Sequence, residues 1–465
     1  MKALDLGKEK VFGTVIRLAV PAMIAQFINV LYSIVDRIFV GNIEGVGDLA
    51  LAGVGVCAPV TTLISSFAFL VGLGGGPIFA ISLGEGRPDN AKKILANAFL
   101  MLAILSVIIT GVILASLKPL LMTFGASEAT YPFAREYMFV YACGAVFSIV
   151  SLGLNQFVIA QGYSGLGMLT TSIGAVANVI LDPIFIFTCG MGIKGAALAT
   201  ILSQAMSMIF VLCVLLSKRT KVRLSLGGYK AKIMLKTLLL GVSPFLIMAT
   251  DSVIIIVLNA VLQKTGGAAG DFWITVATVV QAFLSLITMP MLGISTGTQP
   301  VLSFNYGARN ITLIRKAEKI IVSLCLAYTT LMFALSWGIA EPFVKMFTSD
   351  PETIEKALWG IRIYMIGIIP LSLQYAFVDG LTALEQPQFA ITLSMTRKLV
   401  FMLGATILLP IFFGVQTAFY AEPIADIASA VLSTCVFLAV FPRLLKKRAQ
   451  MLPQHDELSQ QPQQQ

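Results

Sequence analysis

Apolar runs of twenty or more residues recur along the chain from Val15 to Phe441, and they constrain its fold more than any other feature. Wound as a helix rising about 1.5 Å per residue, such a run matches the roughly 30 Å hydrocarbon core of a bilayer. Lipid offers the backbone no hydrogen-bond partners, and a helix satisfies its own N–H and C=O groups segment by segment. Composition agrees: 57% of the 465 residues are apolar and 12% charged, against about 45–50% and about 25% in soluble domains. The chain is therefore expected to be an all-α polytopic membrane protein. Its start, MKALDLGKEK, has no cleavable signal pattern, because the first apolar segment runs past Val30.

Hydropathy predicts twelve spans, near 14–40, 50–83, 94–117, 133–159, 166–188, 192–216, 236–263, 272–304, 317–340, 357–384, 389–413 and 415–442. An even number puts both termini on one side, and the positive charges choose the side. The N-terminus and the connections after even-numbered spans carry 21 Lys and Arg; those after odd-numbered spans carry 5. Both termini are thus expected in the cytoplasm. The net charge of +9 then marks cytoplasmic loops, and no nucleic-acid partner is expected. Trp273, Trp337 and Trp359 fall at predicted outer ends, where indoles favour the interface. The six cysteines lack CxxC spacing and are expected as buried thiols. His455, the one histidine, lies in the polar tail, so no histidine metal site exists.

A basic stretch from Lys218 to Lys236 divides the chain into similar halves. LAVPAM at Leu18–Met23 answers to LGVSPF at Leu240–Phe245, SLGEGR at Ser82–Arg87 to SFNYGA at Ser303–Ala308, and LDPIFIF at Leu181–Phe187 to LLPIFFG at Leu408–Gly414. The offsets are nearly constant. Six helices per half make this a parallel repeat with a pseudo-twofold along the membrane normal, and such halves enclose a central cavity and rock against each other. The expected organisation is an N-lobe (1–217), a cytoplasmic basic linker (218–235), a C-lobe (236–443) and a polar cytoplasmic tail (444–465).

A carboxylate at mid-membrane costs roughly 2.5–3.5 kcal/mol on insertion scales, so each needs a reason. Asp36 in span 1, Asn178 and Asp182 on one face of span 5, and Thr200 in span 6 fall at similar depths below the predicted outer surface. Their oxygens suit a small cation; packed together, one carboxylate would instead hold a proton. A hydrogen-bonded packing network is the plainer alternative. The offsets map Asp36 to Asn259, Asn178 to Ala405, Asp182 to Leu409 and Thr200 to Asp426, so the halves share architecture but not chemistry. Asp251 stands alone in span 7 and is a second candidate, for substrate or a second proton. Asp379, near the inner end of span 10, reads as solvated, and Asp426 as structural or functional alike. GLGGGP at Gly72–Pro77 lacks a following GK[ST] and reads as a bend or packing site. The loop at Gly84–Lys93 reads as a solvated turn.

VPAMIAQ at Val20–Gln26, VDRIFVG at Val35–Gly41, AQG at Ala160–Gly162, NVILDPIFIF at Asn178–Phe187 and GIKGAALAT at Gly192–Thr200 together resemble the multidrug and toxic compound extrusion (MATE) family, and the resemblance covers nearly all twelve spans. It implies two six-helix bundles in a V, and export of organic cations and drugs by alternating access in exchange for Na+ or H+. It implies no enzymatic activity, no cofactor, and no metal site beyond one for Na+. Its N-lobe cation site would be built from Asp36, Asn178, Asp182 and Thr200. The norfloxacin-exporting branch carries a helix 7 acid near the place of Asp251, whereas the branch with LDPIFIF in helix 5 often lacks it. A lipid-linked oligosaccharide flippase of the same superfamily is the alternative. It would need cavity cations for a pyrophosphate, and the available Arg17, Arg37, Arg135, Arg362, Arg397 and Lys398 include several near helix ends that can snorkel. A prenyltransferase would need more clustered acids than Asn178-x-x-x-Asp182 provides.

Overall fold

In a computed structural model of the chain, which describes residues 6–450 apart from 8, 9, 45, 125, 127, 219, 348 and 349, each predicted span is helical. The first bundle comprises α1 (Val11–Gly41), α2 (Gly47–Gly84), α3 (Pro88–Ala115), α4, α5 (Ser164–Pro183) and α6 (Gly192–Leu216). α4 is bent by 55° at Gly144 into two pieces, Tyr131–Cys143 and Ala145–Ala160, and a short helix, Leu117–Thr123, precedes it. α5 ends in a π-helical turn, Ile184–Thr188. The second bundle comprises α7 (Ala231–Gly266), α8 (Gly270–Gly307), α9 (Ile311–Lys345), α10 (Pro351–Ala383), α11 and α12 (Ala421–Gln450). α11 runs Pro387–Met395, widens into a π turn at Thr396–Met402, and resumes at Leu403–Phe413.

Several helices begin before their apolar runs. α9 starts at Ile311 and α10 at Pro351, where Asn310 and Asp350 accept hydrogen bonds from the backbone N–H groups of Leu313 and Thr353. These caps satisfy donors in turns that stand clear of the hydrocarbon. α7 likewise begins at Ala231, inside the predicted linker. The connection before it is docked, with Val222 N donating to Gln161 Oε1 and Lys230 N to Asn97 Oδ1, both at 2.9 Å. At the other terminus, α12 continues to Gln450, so residues 444–450 are helical rather than tail. The rest of the tail, 451–465, lies outside the described residues.

Each lobe has its own apolar core, one spanning α2–α6 and the other α7–α10 with Phe419. The lobes meet along α2 with α7 and α1 with α8. At their inner ends, taking the predicted orientation, backbone also meets backbone, beside a buried apolar cluster that joins α1 and α2 to α8, α9 and α10. A Cβ on Gly84 would lie 1.9 Å from Phe304 O, and one on Gly307 2.1 Å from Ile81 O. Both members of this crossing, Gly84 with Gly307 and Ile81 with Phe304, are 223 residues apart, as the repeat requires. Gly74 packs on Thr237 and Gly241, while Gly297 packs on Ala22. The GLGGGP segment is thus a packing surface within an unbroken α2, because small residues let helix backbones approach.

Three expectations about burial need correcting. Cys57 and Cys325 are buried, but Cys143, Cys189, Cys213 and Cys435 face outward, since a thiol is apolar enough for a lipid-facing surface. Trp273 is buried among Phe272 and Phe419 rather than placed at an interface. Glu85, in the loop read as a solvated turn, accepts a 2.6 Å bond from Arg448 at the end of α12 and also pairs with Arg87.

Candidate functional site

The N-lobe group depends on a local irregularity. Pro183 removes a backbone donor, and the helix widens into the π turn just beyond Asp182. GIKGAALAT lets α6 close on that turn: a Cβ on Gly195 would stand 2.6 Å from the Phe185 carbonyl, and Ala196, Ala197 and Ala199 are buried. Thr200 is thereby brought to α5. Asn178 Nδ2 donates to Asp182 Oδ1 at 3.1 Å and reaches Thr200 Oγ1 at 3.5 Å. Asp36, in the outer part of α1, has its carboxyl within hydrogen-bonding reach of Asp182. The structure therefore brings all four residues together.

Sequence reasoning missed the tyrosines around them. Tyr32 lies one turn before Asp36, and α4 adds Tyr137 and Tyr141, whose rings stack with centroids 6.1 Å apart. Tyr137 shares a hydrogen bond with Thr200. A tyrosine pair at i, i+4 inside an apolar span was the available signal. Asp182 is fully buried and Asn178 is 2% exposed. Even so, no donor among the described residues reaches Asp36 Oδ1, Asn178 Oδ1 or Asp182 Oδ2. A buried unpaired acceptor costs about 1–3 kcal/mol, more if charged. These three, from neighbouring side chains, are hard oxygens of the chemistry that can hold a small cation or a proton.

Around its own π turn the C-lobe pairs its charges internally. Arg397 donates to Asp426 Oδ1 from Nε at 3.0 Å and from Nη2 at 2.7 Å, and its Nη2 also reaches Glu422 at 3.0 Å. Lys398 pairs with Asp251. Asp251 is therefore not alone, and Arg397 and Lys398 are buried at mid-helix rather than snorkelling. Arg397 and Lys398 lie on the π turn of α11, and these two consecutive side chains reach different neighbours, α12 and α7. A 3.6-residue period does not anticipate that. Asp379 is half-buried rather than solvated, with Ser295 Oγ donating to it at 2.5 Å.

Two six-helix lobes in parallel repeat, sealed to each other at one end and holding a buried oxygen cluster inside one lobe, define a membrane transporter rather than an enzyme. A family model described as MatE matches residues 21–184 and 248–407, and the chain belongs to that family, the multidrug and toxic compound extrusion transporters. It is 24% identical to the FAD transporter of Shewanella oneidensis over 434 residues, 91% of this chain and 93% of that one. It is also 24% identical to the multidrug export protein MepA of Staphylococcus haemolyticus over 441 residues, 93% of each. Among solved structures it superposes, at a TM-score of 0.87 and 24% identity, on a multidrug resistance MATE family transporter of the MOP superfamily in an outward-facing conformation, covering 94% of this chain and 97% of that one. A MOP superfamily transporter from Pyrococcus furiosus gives the same TM-score and identity, covering 93% and 96%. The fold is the V-shaped arrangement of two six-helix bundles.

Proposed function

We propose that this transporter exports small organic cations or drugs from the cytoplasm in exchange for Na+ or H+, and that Asp36, Asn178, Asp182 and Thr200 are its coupling group. The observation that carries this reading is the set of three buried oxygens without donors. Two carboxyls in contact away from water repel one another when both are ionised. An ion entering from outside neutralises them and lets α1, α5 and α6 pack as one unit; its release on the other side restores the repulsion. Ion occupancy thus biases two arrangements of the lobes, as exchange by alternating access requires. The termini and the basic connections are cytoplasmic in this reading.

The named cargoes of the two relatives differ, so cargo class must be argued from charge. The Asp251 side chain is 43% exposed while its partner Lys398 is buried, and Arg397 is covered by Glu422 and Asp426. The exposed member of these pairs is therefore an acid, which favours organic cations as cargo. The same pairing leaves Arg397 and Lys398 poorly placed to hold a lipid pyrophosphate. Transport of a cationic dye in proteoliposomes, with Na+ and pH gradients imposed separately, tests both parts. Movement driven by either gradient supports the reading. Transport of FAD or a lipid-linked oligosaccharide in place of the dye overturns the cargo, and gradient-driven transport that survives Asp182→Asn overturns the coupling group.

A further inference from the structure

A second set of acids lies in the C-lobe, far from the N-lobe group in sequence and at the opposite end of the helices. Glu318 sits in the third turn of α9 and is 4% exposed, and neither of its carboxylate oxygens has a donor among the described residues. Its carboxylate lies against Gly380 of α10: a Cβ there would stand 3.0 Å from Oε1 and 3.2 Å from Oε2. The residue before Gly380 is Asp379, close enough for its charge to act on Glu318. Ser295 donates to Asp379 Oδ2, and Gln299 also hydrogen-bonds Asp379, both from α8.

The rest of the surroundings are apolar. Ala317, Ile321 and Cys325 of α9, Leu18 and Ala19 of α1, and Ala376 and Ala383 of α10 belong to one buried cluster there. The titratable groups facing Glu318 are Asp379 from α10 and the Cys325 thiol from its own helix. Arg17 of α1 and Lys319 of α9 are on exposed faces, and α8 offers only Ser295 and Gln299. Among the described residues no cation answers this pair, whereas Arg397 pairs with both Glu422 and Asp426. Thr296 and Gln299 also line a crevice between the lobes, opposite Gly72, Gly76 and Gln156. Gln299 thus links Asp379 to that crevice, which neither acid lines directly.

We propose that Glu318 and Asp379 form a second ion site, in the C-lobe, that holds a single proton on one of its two carboxyls and exchanges it at the Asp379–Gln299 end, which borders the inter-lobe crevice. The proton adds to one carboxylate oxygen, leaving one carboxylic acid and one carboxylate with a single negative charge. Two such groups in an apolar pocket do not both ionise. A metal ion needs a full shell of hard oxygens, and the apolar wall around Glu318 supplies none. This inference does not rest on the N-lobe reading.

Infrared titration of the full-length protein in lipid tests it, with and without Na+. The expected result is a protonated-carboxyl band, insensitive to Na+, that both Glu318→Gln and Asp379→Asn remove and Asp182→Asn leaves in place. A band unchanged in both variants, or one that Na+ abolishes, overturns the proposal. Dicyclohexylcarbodiimide, which attacks protonated carboxyls in apolar surroundings, tests the unaltered protein. Mass spectrometry should find the adduct on Glu318, decreasing as pH rises; no adduct at any pH overturns the proposal independently of how the variants fold.

Discussion

The two lobes share a helix order and a π turn in their fifth helix, yet they treat buried charge in opposite ways. Around the N-lobe turn, Asp36 and Asp182 have tyrosines, an amide and a hydroxyl for neighbours, and three oxygens without donors. Around the C-lobe turn, Arg397 and Lys398 bring their own positive charge to Asp426, Glu422 and Asp251. A π turn with its counter-charge built in holds one structure whatever the ion gradient does, whereas one without it calls for an ion from outside. The pair at Glu318 and Asp379 adds a second unanswered site, but near the inner ends.

The sharpest way to break this comparison is to neutralise the N-lobe. Asp36→Asn and Asp182→Asn should each abolish gradient-driven dye efflux with normal membrane expression, whereas Thr200→Ala removes only a neutral ligand and should be milder. Efflux at the unaltered rate in either Asp variant would reduce the group to a packing network. In the C-lobe the expected loss is of stability. Arg397→Met strands Asp426 and Glu422, and breaking a buried pair costs about 3–5 kcal/mol. The thermal midpoint of the purified protein should drop markedly and recover in part when Asp426→Leu is added. A normal midpoint together with lost coupling would move Arg397 into the transport machinery.

A smaller effect is expected at Asp251. Asp251→Asn leaves Lys398 unpaired, so uptake of monovalent organic cations should fall more than that of neutral drugs, and adding Lys398→Met should narrow the difference. Equal losses for both classes would contradict a cargo-facing role. Smallest is the contact across the seal. Burial alone would raise the Glu85 carboxyl, but its bonds to Arg87 and Arg448 and their charges outweigh this and hold it below the usual range. Its contribution is complete above the ordinary carboxylate range and is lost as pH falls through the depressed value. Acid pH and Glu85→Gln should therefore loosen the inner ends alike, read as a longer spin-label distance between α2 and α12. Acid pH that still lengthens the distance in Glu85→Gln would assign the effect to another group.

Much of this was legible in the residues. Twelve apolar runs, Pro21 answering Pro244, and four polar side chains at one depth follow from helical rise and hydrophobic length alone, and the structure gathers those four side chains. What stayed hidden lies where the backbone leaves the regular helix. The partners of Asp251 and Asp426, Lys398 and Arg397, lie 147 and 29 residues away on the π turn at Thr396–Met402, a local widening with no fixed residue pattern. Glu318 was missed because it falls at the margin of its predicted span, where an acid normally meets water. Only the packing of α1, α8 and α10 around it makes the site dry. Glu85 was missed because its partner Arg448 lies 363 residues away.

The crossing of α2 and α8 has a consequence for wear. Side chains that interlock must find their rotamers again each time two surfaces meet. Where Gly84 faces the Phe304 carbonyl and Gly307 faces Ile81, there is nothing to interlock. Such a closure resembles two smooth plates more than a zip. At that point it can part and re-form without re-fitting, while adhesion is left to the apolar cluster beside it, around Ile81, Val301 and Tyr306, and to groups at its rim such as Glu85 and Arg448.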